Sequence, residues 1–164
     1  MISLCQLNEL GLSCFGCCGR NFWKKEWIKE SIDKNTEEYK NSNSLTEFRD
    51  RFYRQDIRST GICPHVIWTS KGRFGCALHP KFTGSDEDLR QNHCNPQYLC
   101  KTMRYFLSWD EATKKRYIDF IRSKSLDWYD YSILTDNNKL LEEFLSMEKG
   151  REIKFEKEEF EWIK

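Results

Sequence analysis

The sequence has no long run of apolar residues and almost no excess of charge of one sign. No segment of its 164 residues approaches the roughly 20 apolar residues that a membrane span requires. The first ten residues contain neither a basic stretch nor an unbroken apolar run, so we expect no secretory signal, a cytoplasmic location and reduced cysteines. The net charge of +1 predicts no strong electrostatic attraction to nucleic acid or to a membrane surface.

Several motifs of common enzyme classes are also missing. The sequence contains no phosphate loop, dinucleotide fingerprint, HExxH zinc motif or serine-nucleophile motif. Its eight cysteines amount to about 5% of the residues, below the roughly 8–10% that marks a disulfide scaffold. A chain of this length can bury its own hydrophobic core. We therefore expect one domain over residues 1–164 that does not depend on disulfides, and whether it is an enzyme stays open.

The hydrophobic pattern predicts a mostly α-helical protein with a small β-hairpin and an irregular cysteine-rich metal-binding centre packed on helices. A first helix is predicted from Asn21, as its cap, to about Tyr39, with an apolar side formed by Trp23, Trp27, Ile28 and Ile32. The capping box 44–47 predicts a second helix that continues past Phe52 to Ile57. Its basic side is expected to face solvent and consists of Arg49, Arg51, Arg54 and Arg58.

The rest of the chain alternates turn signals with apolar runs. The runs 66–68 and 74–78 predict the hairpin, and the polar segment 81–92 predicts a loop. Further helices are expected to start at Asn95-Pro96 and Ser108, to cover 127–134 and 139–148, and to support the centre over residues 108–150. The tail 151–164 fits either a strand or a frayed helix.

Cysteine is the most informative residue type in this sequence, because seven of the eight occur in two groups. Thiols and imidazoles gathered in this way in a reducing compartment indicate a bound metal ion or iron–sulfur cluster. The predicted ligands are Cys14, Cys17, Cys18, Cys63, Cys76, Cys94 and Cys100.

The first group is a CxxC motif with one additional cysteine. Two thiolates at the spacing of Cys14 and Cys17 can reach one metal ion from a single tight turn, and Gly16 suits such a turn. Adjacent side chains diverge in an extended backbone, so Cys17 and Cys18 are not expected to bind the same ion. Either one of the two packs inward, or the pair serves two metal sites or two irons of a cluster.

The second group lies around the hairpin and the segment that comes after it. Cys63 precedes the first strand, and Cys76 lies on the return strand. Cys94 is expected just before a helix, where the macrodipole favours a thiolate, with Cys100 about one turn inside. Cys5 stands apart and is expected to be a small core residue.

All three histidines lie close to the second group of cysteines. His65, His79 and His93 could each bind the metal, since imidazole is a normal zinc ligand. The alternative is that each one hydrogen-bonds to a sulfur or a carbonyl without touching the metal.

The cysteine-bearing segments resemble the YkgJ-like cysteine-cluster family, which is described as zinc- or iron-chelating. The resemblance covers about residues 10–105 and rests on the runs Cys14-Phe15-Gly16-Cys17-Cys18, Cys63-Pro64-His65, Cys76-Ala77-Leu78-His79-Pro80, Cys94 and Cys100. The family usually has CxxCxxCC in the first run, whereas Cys14 is here the only nearby cysteine, and Asn95 replaces a usual arginine. The resemblance implies metal chelation but no particular reaction.

Three classes of function remain open from the sequence. The first is a metal-binding protein that chelates zinc or an iron–sulfur cluster, since both accept four thiolates. The second is an iron–sulfur oxidoreductase or a metal-dependent modifying enzyme. The third is a zinc-stabilised interaction module that uses the arginine side of the second helix, for which the balanced charge argues against nucleic acid as the partner.

Overall fold

The computed structural model describes residues 3–52, 56–69, 73–84, 86–150 and 153. The chain divides into two compact units, Met1–Tyr98 and Leu99–Lys164. The division falls inside the cysteine-cluster region 10–105 that the sequence suggested, and it leaves the supporting helices of 108–150 in the second unit. None of the described helices is long and apolar enough to cross a membrane. The predicted tail 151–164 lies outside the described residues except for Ile153.

The described residues of the first unit form two small antiparallel sheets, three α-helices and one short 3-10 helix (Asn8–Leu10). Its elements in chain order are β1 (Gln6–Leu7), β2 (Leu12–Ser13), α1 (Lys25–Asn41), α2 (Leu45–Asp50), β3 (Val66–Trp68), β4 (Phe74–Cys76) and α3 (Pro80–Thr83). The sequence did not predict β1 and β2, which are two residues each and too short to show a pattern. The segment 81–92, predicted as a loop, begins within α3.

Helix α1 buries a narrow stripe spaced by about one helical turn. The stripe consists of Ile28, Ile32 and Asn35. The predicted start at Asn21 is wrong, because Asn21 has a left-handed backbone and the helix begins at Lys25. Trp23 and Trp27 do not join the core: they are 50% and 48% exposed and stack on each other with ring centroids 4.8 Å apart.

Helix α2 begins at the predicted capping box and ends sooner than predicted. The Ser44 hydroxyl accepts a hydrogen bond from the Glu47 amide, which confirms the cap. The helix stops at Asp50, so its continuation through Phe52 to Ile57 is wrong. The Arg51 guanidinium donates to the Phe48 carbonyl, which would otherwise be free to accept the next helical bond.

The hairpin of β3 and β4 confirms the prediction for 66–68 and 74–76. Val66 pairs with Cys76 and Trp68 with Phe74. Residues 77 and 78 come after the strand as a turn rather than extending it. The hairpin contributes to a core cluster made of Phe48, Ile67, Ala77 and Leu78, against which Cys76 packs.

The second unit is mostly helical over its described residues. Its elements are α4 (Lys101–Ser108), α5 (Glu111–Ser123), α6 (Trp128–Asp136) and α7 (Lys139–Met147). The helices predicted over 127–134 and 139–148 are confirmed to within two residues. Aromatic side chains fill the core, with ring centroids 5.0–6.3 Å apart among Phe106, Trp109, Tyr117, Phe120 and Phe144.

Besides the start at Asn21, two further predicted helix starts are wrong. Asn95-Pro96 forms a turn instead, because the Asn95 side chain accepts from the Gln97 amide and its carbonyl accepts from Tyr98. Ser108 is the last residue of α4, and Asp110 caps α5 by accepting from the Thr113 amide.

Candidate functional site

The N-terminal cysteine motif folds as a tight turn anchored by a buried ring. The Cys18 amide donates to the Phe15 carbonyl at 2.6 Å, which closes the turn. Phe15 is fully buried, and its ring lies against Phe22 and Phe74 with centroids 4.8 and 5.6 Å away. Because Phe74 belongs to β4, this contact attaches the motif to the hairpin. The turn leaves Cys17 exposed and Cys18 half-buried.

Backbone hydrogen bonds then join this turn to the segment before the hairpin. The Cys63 amide donates to the Cys18 carbonyl at 2.7 Å, and Gly19 forms an antiparallel bridge with Ile62. The Arg20 amide donates to the Gly61 carbonyl at 2.9 Å. These bonds place Cys18 next to Cys63, although the two are far apart in the sequence.

The hairpin register brings Cys76 to the same place. Val66 lies opposite Cys76, and the Ala77 amide donates to the His65 carbonyl at 2.9 Å. The Cys63 carbonyl accepts from the Val66 amide at 3.2 Å, so the segment turns tightly before the strand begins.

Cys94 reaches this region from a later turn. Its amide donates to the Arg90 carbonyl at 3.1 Å. The neighbouring His93 ring packs edge-to-face on His65 with centroids 5.2 Å apart, and its Nε2 lies 3.8 Å from an Asp50 oxygen. The contact between the two histidines holds the Cys94 turn beside the Cys63 segment. Because residues 95–98 form a turn rather than the predicted helix start, Cys94 does not stand at a helix N-terminus that would lower the pKa of its thiol.

Five thiols are close enough to affect one another's ionisation. Burial raises the pKa of Cys63 to about 11 and that of Cys76 to about 12, and the thiol of Cys94 adds to both effects. The hydrogen bond with Cys17, followed by burial, raises the pKa of Cys18 well above its usual range. Burial also raises the pKa of Cys94, against the opposing charge of Arg90. We call these five residues the thiol cluster: Cys17, Cys18, Cys63, Cys76 and Cys94.

Besides the contact of His93 with Asp50, two further pairs of ligand-type side chains are described within 4 Å in this region. The Cys17 and Cys18 sulfurs are 3.9 Å apart, and the Cys63 sulfur is 3.8 Å from His65 Nδ1. The expected divergence of Cys17 and Cys18 does not occur, because the backbone turns there instead of being extended. No three His, Cys, Asp or Glu side chains among the described residues stand at the spacing of a formed metal site.

Three cysteines make contacts within their own segments. The Cys14 sulfur accepts from the Gly16 amide at 3.4 Å, and the Cys14 amide donates to the carbonyl of half-buried Cys5. Cys100 is the N-cap of α4 in the second unit, where its sulfur accepts from the Met103 amide at 3.4 Å. These contacts are local to each segment and do not test whether the thiols bind metal. Metal binding by Cys14 and Cys100 therefore stays a prediction. None of the eight cysteines, all of which lie among the described residues, forms a disulfide.

The histidines differ in their surroundings. His65 is buried, its Nε2 lies 3.0 Å from the Arg49 carbonyl oxygen, and burial lowers its pKa to about 4. The neutral ring therefore donates from Nε2 and presents the Nδ1 lone pair toward Cys63. His79 caps α3 by accepting from the Lys81 amide through Nδ1, an arrangement that occupies one of its two nitrogens.

Sequence reasoning missed a polar network behind the cluster. Asn35, Glu38, Arg51 and Arg58 bond to one another and to the backbone of residues 63–66. The prediction of a solvent-facing arginine side is wrong for Arg51 and Arg58, whose side chains are 19% and 14% exposed and contact Glu38. Arg54 lies outside the described residues. A signal was present, because Asn35 continues the buried stripe of Ile28 and Ile32 at helical spacing.

Comparison with protein-family models, with curated proteins and with solved structures found no match to this chain. The resemblance to the cysteine-cluster family therefore stays an expectation, and the function of the chain has to be inferred from its local chemistry.

Proposed function

We propose that this protein binds a metal, as zinc or as the iron of an iron–sulfur cluster, through the thiol cluster. The observation that carries the proposal is the set of long-range contacts that gathers these thiols from separate chain segments: the Cys63 amide bonds to the Cys18 carbonyl, Val66 pairs with Cys76, and the His65 ring packs on His93 next to Cys94. A shared cation is the simplest reason for such a concentration of sulfur.

A bound cation would change the electrostatics of the thiol cluster. Without metal, burial and neighbouring sulfur oppose the thiolate form of Cys63 and Cys76. A bound cation reverses this balance because it stabilises each thiolate directly and displaces the thiol protons. Thiolate sulfur is a suitable donor for both zinc and iron–sulfur clusters, so the donor set does not separate the two.

The spacing of the side chains is compatible with closure around an ion. Zinc–sulfur bonds of about 2.3 Å imply sulfur separations of about 3.5–4 Å, and the Cys17–Cys18 pair lies at 3.9 Å. A change of staggered χ1 rotamer moves a cysteine sulfur by roughly 3 Å without moving the backbone. Cys17 and Cys94 are exposed, so an ion can enter from their side while Cys63 and Cys76 receive it from within.

The arginine side of the second helix lends less support to an interaction module. Arg51 and Arg58 are both engaged by Glu38, and Arg51 also donates to the Pro64 carbonyl. These guanidinium groups fix the protein's own backbone, and a partner would have to displace those bonds. We therefore infer that Arg51 and Arg58 support the backbone of the thiol cluster.

The experiment is metal analysis of protein purified without oxygen, with three cysteine variants measured in parallel. We expect stoichiometric zinc or iron in the wild type and a clear loss in Cys76→Ser. Cys5→Ser is the matched control and should keep its metal, because Cys5 bonds to the N-terminal motif through its backbone carbonyl, which serine retains. Visible absorption distinguishes an iron–sulfur cluster from colourless zinc.

Cys100→Ser decides how far the ligand set extends. Serine is a better helix N-cap than cysteine, so this variant should keep α4 intact, and it keeps its metal if the ligands are confined to the thiol cluster. Loss of metal in Cys100→Ser would add that thiol to the ligands. Eight free thiols and neither zinc nor iron in the wild type would overturn the proposed function.

A further inference from the structure

Asn35 of α1 touches the backbone on both sides of the Cys63-Pro64-His65 turn. Its side chain is fully buried, and its Nδ2 donates to the Cys63 carbonyl at 3.0 Å and to the Val66 carbonyl at 2.8 Å. Both amide hydrogens are thus used on the segment that carries a cluster thiol. An amide side chain is one of the few groups that can donate two hydrogen bonds at once from a buried helix face.

The acceptor side of Asn35 is fixed by an ion-pair network. Arg58 Nε donates to Asn35 Oδ1 at 2.9 Å, and the Arg58 guanidinium also contacts the Glu38 carboxylate. Burial pushes the pKa of Glu38 upward, but the hydrogen bond and charge of Arg51 and the charge of Arg58 outweigh it, so the pKa is lowered. Glu38 is therefore a carboxylate at neutral pH and holds both arginines.

The same network also hydrogen-bonds to Pro64, which lies between Cys63 and Val66. Arg51 Nη2 donates to the Pro64 carbonyl at 2.9 Å, and Arg51 Nε donates to Glu38 at 2.9 Å. The His65 carbonyl accepts a hydrogen bond from the Ala77 amide. The Nε2 atom of the His65 ring donates to the Arg49 carbonyl. Every carbonyl from residue 63 to residue 66 thus has a hydrogen-bond partner. Asn35 and Arg51 therefore fix the orientation of this turn.

Resting on the proposed function, we propose that Asn35 is a positioning residue that orients Cys63 toward the metal, with Glu38, Arg51 and Arg58 holding it. Groups that orient a ligand raise affinity because the ligand does not have to be ordered when the metal binds. Asn35 contacts the backbone of a ligand and not the metal itself. Its effect should therefore appear in affinity and coordination geometry beyond any effect on folding.

The test compares Asn35→Asp with Thr36→Val on the same helix. Aspartate keeps the acceptor for Arg58 but cannot donate to the Cys63 and Val66 carbonyls. Thr36 is the matched control, because its hydroxyl accepts from the Trp68 amide at 2.9 Å and so docks α1 on β3 without contacting residue 63. Co²⁺ is the probe, because its absorption bands report both the affinity and the ligand geometry.

We expect Asn35→Asp to bind Co²⁺ about 10- to 100-fold more weakly than the wild type and with shifted absorption bands. Thr36→Val should be destabilised in urea but bind Co²⁺ within about twofold of the wild type, with unshifted bands. Equal affinities of Asn35→Asp and the wild type, or equal losses in the two variants, would overturn the positioning role.

The outcomes also separate this proposal from the one on which it rests. Wild-type protein that binds no Co²⁺ contradicts the metal site itself, and with it the role of Asn35. Wild-type protein that binds Co²⁺ while Asn35→Asp binds equally well contradicts only the positioning role. If Asn35→Asp does not fold, Arg58→Lys replaces it, because lysine keeps a charge beside Glu38 but loses the Nε bond to Asn35. That variant should bind Co²⁺ at least threefold more weakly, and unchanged binding would overturn the proposal.

Discussion

Cys63 and Cys76 hold their protons at neutral pH in the metal-free protein. Burial raises the pKa of the first to about 11 and of the second to about 12, whereas an unfolded chain has thiols that ionise near pH 8.5. The folded state therefore binds more protons than the unfolded state across this range. A group with a raised pKa in the folded state stabilises the fold at low pH and ceases to do so as the pH rises through that pKa.

We predict that the metal-free, reduced protein is most stable below about pH 8.5 and loses stability steadily between about pH 8.5 and 11. The loss is at most about 1.4 kcal/mol per pH unit for each thiol, less where solvent reaches the sulfur. Urea unfolding at pH 7.5, 9 and 10 in the presence of a chelator measures it. Cys76→Ser should show a shallower decline. A free energy of unfolding that does not change between pH 8 and 10 would contradict the burial of these thiols.

At the scale of the elements, the cluster depends on the close approach of two backbone segments. The bridge between Gly19 and Ile62 and the bonds on either side bring the N-terminal turn against residues 61–63. Gly61 has φ +92, and a Cβ atom there would lie 2.4 Å from the Arg20 carbonyl oxygen. Because this neighbour is backbone, it cannot move aside without breaking the bridge. Only glycine fits this position.

We predict that Gly61→Ala lowers the free energy of unfolding by more than about 2 kcal/mol and weakens metal binding, because it separates Cys18 from Cys63. Gly84→Ala is the control. It also has a left-handed backbone, with φ +68, but open space around the Cβ position. It should cost only about 1 kcal/mol and leave the metal content unchanged. Urea unfolding and metal analysis of both variants provide the check. Equal effects in both would show that the close approach does not matter.

At the scale of the whole molecule, the thiol cluster belongs entirely to one of the two compact units. All five of its members precede Tyr98, whereas the aromatic core of α5 and α7 belongs to the unit that starts at Leu99. A ligand that binds only the folded state stabilises the part of the structure that must be folded to hold it. The effect of metal should therefore differ between the two units.

We predict that removing the metal increases amide hydrogen exchange around residues 14–20, 61–67 and 90–94 and leaves the helices of 111–147 unchanged. Hydrogen exchange of the metal-loaded and chelated protein measures this difference. Cys76→Ser in the presence of metal should resemble the chelated wild type. An equal loss of protection over 111–147 would mean that the metal also stabilises the second unit.

The sequence by itself determined most element types. The cap at Ser44, the hairpin around residues 66–76 and the helix after Asp127 each arise from signals within a few residues of one another, and local signals do not require the rest of the fold. The same locality explains the errors. Asn95-Pro96 has the composition of a helix start, but the Asn95 side chain closes a turn with the Gln97 amide, and the two outcomes use the same residues.

Only the tertiary structure decided which cysteines meet. The sequence predicted seven cysteines as ligands, and the structure gathers Cys17, Cys18, Cys63, Cys76 and Cys94 into the thiol cluster, while Cys14 hydrogen-bonds within its own turn and Cys100 caps a helix. The difference arises from long-range backbone bonds, such as the one from the Cys63 amide to the Cys18 carbonyl. Sequence spacing says nothing about such bonds. The burial of Asn35 likewise depends on the tertiary structure, because the turn at residues 63–66 folds back over α1. Its side chain can then donate to the Cys63 and Val66 carbonyls, although it lies on an otherwise apolar stripe.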